Sequence, residues 1–182
     1  VTENRLFTIT SESMSRTLSV NSTHRADMTA YQSKAPTVGD IVVFHMPKRA
    51  MRDDQGDRLH IFRCIGVAGD VIEVRDGDLF RDGKKVVERY VSGRPTMDFK
   101  LVNYKGRTIP ASISGDSVND MIVPETFRLT AAEQREVLEL PAAPVPKGQV
   151  LLLGDNRGGA FDGRFWGTLP VDQVAGRVVD AE

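Results

Sequence analysis

The stretch VIEVRDGDLFRDGKKVV, Val71 to Val87, constrains the fold of this chain more than any other. An Asp-Gly pair readily supplies the two positive φ angles of a two-residue hairpin turn. Two such pairs, Asp76-Gly77 and Asp82-Gly83, cut the stretch into three short strands and predict a meander. The runs on either side carry the same bias. Leu6-Phe7-Thr8-Ile9 puts Phe7 and Ile9 on one face by the two-residue period of a strand. Gly39 to Pro47 (GDIVVFHMP) reads as a turn and a buried strand, Leu59 to Val67 as another, and QVLLLGDNR, Gln149 to Arg157, as a strand running into a turn. Residues from about 94 to 147 look less regular. They hold one helical stretch, Thr130 to Leu140, which Thr130 caps with Glu133 as its capping-box partner. The chain is expected to be mostly β, one core interrupted by an insertion, with one short helix.

Composition narrows the chemistry. Lys+Arg 24 against Asp+Glu 25 gives a net charge of -1, which argues against a nucleic-acid partner held by bulk electrostatics. The one cysteine, Cys64, allows no internal disulfide and no CxxC zinc site. It falls in a buried-strand pattern and reads as an inert core residue. His24, His45 and His60 lack the HExxH spacing that puts two imidazoles on one helical face, so no metal site and no cofactor is expected. No apolar run reaches the roughly 20 residues that span a bilayer. Lys34, Lys48 and Arg49 fall in predicted loops and read as solvated charge.

Against this background TSESMSRTLS, Thr10 to Ser19, asks whether Ser13 is a nucleophile or part of a polar turn. Three pieces bear on the answer: SESMSRTL followed by GDIVVF, FRCIGVAGDVIEV, and GDNRGGAFDGRFWGTLPVDQVAGRV. In this order and at these separations they resemble the type I signal peptidases, membrane-bound serine endopeptidases that remove signal peptides from exported proteins. The resemblance covers about residues 5 to 90 and 145 to 180, and GDNR…D-x-R-x-x-G is its most specific part. It implies a signal-peptidase-like β core, residues 1–75 and 146–182, with a second β-rich domain, residues 76–145, inserted in it. It also implies an N-terminal transmembrane anchor outside this chain, a cell-membrane location with the catalytic domain on the extracytoplasmic side, and signal peptides or preproteins as partners.

Carried over residue by residue, the resemblance makes Ser13 the nucleophile. Ser11 joins the Ser13 N–H as donor to the developing oxyanion, an arrangement that carries a large share of barrier reduction. Phe7, Ile9, Met14, Ile61 and Phe62 become substrate-binding residues, lining shallow pockets that accept small side chains and hence Ala-x-Ala sites. An extended substrate would add to strand edges beside Ser11 and Ser13. Asp162 and Arg164 match an ion pair that supports the site, and Asp155 with Asn156 and Arg157 braces the turn after the strand.

The match breaks at the base. A serine hydroxyl is a weak nucleophile, and the family commonly activates it with a buried, neutral lysine. Phe62 stands at that position. Ala160 stands where the family has the serine that orients the lysine, and Arg16 where S-M-x-P has its proline. Losing the amine and its orienting hydroxyl together is coherent, because the hydroxyl alone would be a buried group seeking a partner. His60, two residues before Phe62 and about 6.6 Å along the same strand face, reads first as a pocket-wall or surface residue and second as the substitute base candidate. Two functions follow: a processing peptidase with an atypical dyad, or a non-catalytic homologue that binds peptides for pilin or secretion assembly. A self-cleaving repressor is disfavoured, since both the lysine and a DNA-binding segment are absent.

Overall fold

The computed structural model describes residues 2–51, 58–95, 97–115, 117–118 and 129–181. It is mostly β, as expected, and forms two antiparallel sheets. The first draws on β1 (Asn4–Thr8), β2 (Thr23–Asp27), β3 (Ile41–His45), β4 (Leu59–Val67), β11 (Gln149–Leu153), β12 (Leu169–Pro170) and β13 (Val174–Val178), in the order β1-β2-β13-β3-β4-β11-β12. The second contains β5 (Ile72–Arg75), β6 (Asp78–Arg81), β7 (Lys84–Val86), β8 (Asp98–Tyr104), β9 (Arg107–Ser114) and β10 (Ser117–Val118), in the order β10-β9-β8-β5-β6-β7. Two short helices, α1 (Ala131–Glu139) and α2 (Gly163–Trp166), complete the regular elements.

The meander forms where the Asp-Gly pairs put it. Asp76 and Gly77 have φ of 51° and 83°, and Asp82 and Gly83 have 50° and 75°, the conformation that lets two-residue turns follow the twist of their strands. The capping box on α1 is also present: the Glu133 N–H donates to Thr130 Oγ1 at 3.3 Å while the Thr130 N–H donates to the Glu133 carboxylate at 2.9 Å.

The stretch from about 94 to 147, read as less regular, holds a hairpin that the sequence did not mark: β8 and β9 pair over seven residues from Asp98↔Ile113 to Tyr104↔Arg107. Two features hid this hairpin. Its turn is Lys105-Gly106, with φ of 49° and 78°, so a lysine occupies the left-handed position usually given to Asn or Asp. Pro110 lies inside β9, and proline is tolerated only where no second neighbour needs its N–H. Among the described residues β10 reaches only Ser114 and Ile113, leaving the outer side of Pro110 unpaired.

β4 and β11 join the two halves. Cys64, Val150 and Leu152 face the core of the first sheet with Phe44, Trp166 and Val42. Ile65, Leu151 and Leu153 face the core of the second with Ile72, Phe99 and Leu101. A strand buried on both faces reads as a continuous apolar run, which accounts for VLLL. A third cluster seats Val137 of α1 on Val102, Ile109 and Ala111.

Candidate active site

β1 delivers the chain to the site. Leu6 and Thr8 face outward, while Phe7 and Ile9 face the core, half-buried and buried respectively. Ser11 follows in extended conformation (φ -133°, ψ 159°) and precedes a single 3-10 turn, Glu12 to Met14. Its hydroxyl caps nothing and lies 2.9 Å from Ser13 Oγ. Phe7, Ile9, Ser11, Ser13, Met14, His60, Ile61 and Phe62 all line one cleft of about 100 Å³, so the sequence-selected nucleophile, oxyanion, base and pocket residues share a surface. Thr8, Thr10 and Leu59 complete it. Among these lining residues His60 alone carries a side chain that accepts a proton near neutral pH. Burial, and then the charge of Arg58, push its pKa below the ordinary histidine value, which favours the neutral imidazole.

The turn after β11 grips the nucleophile loop. The Asn156 N–H donates to the Ser13 carbonyl at 3.0 Å and Asn156 Nδ2 to the Glu12 carbonyl at 3.1 Å. The Asp155 N–H points at Met14 Sδ, 3.3 Å away. The Asp155 carboxylate, fully buried, accepts both arms of Arg63 at 2.8 and 2.6 Å and the Thr17 hydroxyl at 2.5 Å. Asp162, also fully buried, pairs with Arg164 at 2.8 and 3.0 Å and accepts the Gly154 N–H at 3.0 Å.

Several contributors to this bracing were missed. Arg63 stacks its guanidinium 3.8 Å from the Tyr90 ring centroid and donates to the Gly39 carbonyl. Ser92 donates its hydroxyl to the Ser15 carbonyl at 2.9 Å and its N–H to the Asp155 carbonyl at 2.8 Å. Glu88 takes both arms of Arg157 at 2.8 and 2.7 Å. A charge inside the buried run FRCIG was a usable signal for Arg63, because a buried guanidinium demands a partner. Nothing local marked Glu88, Tyr90 or Ser92.

The other side of Ser13 is apolar. Phe62 is 4% exposed, its ring 5.4 Å from that of Phe44, which also contacts His60 and Trp166 at 5.9 and 6.0 Å between centroids. A Cβ on Gly154 would fall 2.6 Å from the Ser13 carbonyl oxygen and 3.5 Å from the Phe62 ring, and would overlap the Ala160 methyl. Glycine is therefore required at 154, and Phe62 and Ala160 meet the same small space beneath Ser13. Position 16 departs in a related way. Arg16 has a φ of 79°, in the left-handed region closed to a proline ring, and its guanidinium reaches the Val91 carbonyl at 3.4 Å.

A serine-histidine-carboxylate series lies elsewhere but is spent on structure. Ser22 Oγ is 2.8 Å from His24 Nε2, and His24 Nδ1 is 3.3 Å from Asp180. Ser22, however, donates both its hydroxyl and its N–H to the Ser19 carbonyl, at 2.5 and 3.0 Å. Asp180 accepts the Arg25 N–H, and the neighbouring Asn21 N–H goes to the Ile9 carbonyl. With those donors occupied the series ties β2 to the end of β13. Cys64 is equally unsuited to chemistry, since burial, with Asp40 and Asp70 nearby, pushes its thiol up to about 12. Arg49 is exposed, as expected, and also donates to the Trp166 carbonyl at 2.7 Å and to the Thr168 carbonyl.

Comparison with known proteins adds the family. Residues 2–180 match the family described as signal peptidase, peptidase S26. The chain is 30% identical over 177 residues to signal peptidase IB of Staphylococcus aureus (strain COL), covering 94% of this chain and 74% of that protein. It is 28% identical over 173 residues to a probable signal peptidase I-1 of Synechocystis, covering 94% and 67%. Thylakoidal processing peptidase 1 of Arabidopsis thaliana is 30% identical over 175 residues, but this chain spans only 39% of its length. A crystal structure of a signal peptidase I from Enterococcus faecalis V583 aligns over 80% of this chain and 98% of that one, with 22% identity and a TM-score of 0.45.

Proposed function

The chain belongs to the signal peptidase family, peptidase S26, and from that premise we propose that its cleft receives signal peptides of exported preproteins and cleaves them after small residues. The observation that carries this reading is the convergence of Ser11, Ser13 and His60 with the apolar wall of Phe7, Ile9, Met14, Ile61 and Phe62 on one cleft. Ser13 attacks the scissile carbonyl. His60, neutral and at the cleft wall, takes the hydroxyl proton and returns it to the leaving amine, while Ser11 and the Ser13 N–H stabilise the oxyanion. Asp155, Asp162 and Arg164 hold the loop without touching substrate.

The substrate lies extended beside β1, with alternate side chains in the pockets. Among the described residues no helix is long and apolar enough to cross a membrane. The reading places the site at the extracytoplasmic face of a cell membrane, held there by an anchor beyond this segment. The two-part organisation of a core and an inserted domain, divided at 75/76 and 145/146, belongs to the same proposal.

A second reading has its own observation. Phe62 and Ala160 close the space beneath Ser13 with carbon, where the family commonly has an amine and its hydroxyl partner. That favours a homologue that holds peptides, for instance in pilin or secretion assembly, without turnover. One experiment separates the two. The chain is incubated with a preprotein carrying an Ala-x-Ala site, and the products of the parent and Ser13→Ala are mapped by mass spectrometry. Cleavage after the second alanine, absent in Ser13→Ala, is expected. Retained peptide binding with no cleavage in either protein would instead establish the binding reading.

A further inference from the structure

We propose that Arg5 forms a distal subsite for an acidic substrate side chain, five residues before the scissile bond; the inference rests on the peptide-cleft reading above. Arg5, Phe7 and Ile9 occupy one face of β1, and their exposure falls stepwise toward Ser13: Arg5 is exposed, Phe7 half-buried, Ile9 buried. The same face turns toward the core, because Ala26, the cross-strand partner of Arg5, is fully buried. The Arg5 side chain, though exposed, folds back along this face. Its Cζ lies 5.0 Å from the centroid of the Phe7 ring, which is itself a wall of the cleft. Among the described residues no carboxylate pairs with it in an ion pair, so its fork of N–H donors keeps capacity for a ligand.

β1 ends its sheet and pairs only with β2 among the described residues, so its outer edge is open to an added strand. Side chains of such a strand repeat on one face every second residue, about 6.6 Å apart. A peptide whose first residue before the scissile bond enters the pocket by Ile9 and Met14 thus sets its third against Phe7 and its fifth against Arg5. Glutamate or aspartate at that fifth position meets a guanidinium already held over an aromatic face, at the rim where desolvation is slight.

The test uses three peptides identical except for Glu, Gln or Lys at the fifth position before an Ala-x-Ala site, with binding to this chain measured by fluorescence anisotropy. The parent is expected to bind the Glu peptide about fivefold more tightly than the Gln peptide, and the Lys peptide more weakly still. That preference disappears in Arg5→Gln, reverses in Arg5→Glu, and narrows as salt rises. Equal affinity for all three peptides, or a preference unchanged in Arg5→Gln, overturns the subsite and leaves the cleft reading standing. Failure to bind any of the three overturns the cleft reading itself.

Discussion

On one side of Ser13 polar groups are matched almost one for one: Asp155 with Arg63 and Thr17, Asn156 with the Ser13 and Glu12 carbonyls, Asp162 with Arg164 and the Gly154 N–H. On the other, Phe62, Ala160, Gly154 and Phe44 offer carbon. The polar side braces the loop that carries Ser13. The apolar side places a phenyl ring at 62 and a methyl at 160, neither of which accepts a proton. The contrast separates the residues that hold Ser13 from those that would activate it in the proposed mechanism. In that mechanism the clamp on Ser13 acts together with His60, and not position 62, as the base.

The largest expected effect comes from breaking the polar side. Asp155→Ala leaves Arg63 buried without its carboxylate, and removing one partner of a buried pair costs about 3–5 kcal/mol. Urea unfolding should show this as a lowered midpoint at unchanged slope, and a loss below 1 kcal/mol would mean that the clamp is ornamental. A smaller effect tests the apolar side. Ala160→Ser alone inserts a hydroxyl against Phe62 and should destabilise by about 1–3 kcal/mol. Combined with Phe62→Lys it acquires an amine to bond, so the two changes should be non-additive in stability. Cleavage of an Ala-x-Ala preprotein by the double variant should then exceed that of the parent, with a maximum at higher pH than the parent's. Strict additivity would show that the two positions do not share one space. The smallest effect lies in the loop between the two sides. Arg16→Gly relieves a left-handed arginine and should gain up to about 1 kcal/mol in thermal unfolding. A loss there would mean that the bond to the Val91 carbonyl outweighs the backbone strain.

Much of the fold could be read from local signals. The Asp-Gly turns, the β4 run and the α1 capping box each have a local physical cause and lie where the sequence placed them. β8 and β9 were not legible, because a lysine fills the left-handed turn position and a proline sits in a strand whose outer neighbour is short. β2 (THRAD) is polar at every position but Ala26, and β13 (VAGRV) is interrupted by Ala175 and Gly176, so both gain strand structure from their neighbours rather than from their own composition. At the site, Ser11, Ser13 and the wall residues were accessible because their motif is contiguous. Glu88, Tyr90 and Ser92 were not, since they reach the loop from a distant segment and only tertiary pairing reveals them.

In the proposed mechanism His60, and not position 62, takes the proton from Ser13, and the most direct test is the pH dependence of kcat/KM for an Ala-x-Ala substrate. The sign follows from the lowered pKa: imidazole is the active form, so the rate should rise with pH through a value below histidine's ordinary one and then level off. His60→Gln should abolish that rise and cost about 10²–10⁴-fold on the plateau. An unchanged profile and rate in His60→Gln would contradict the account.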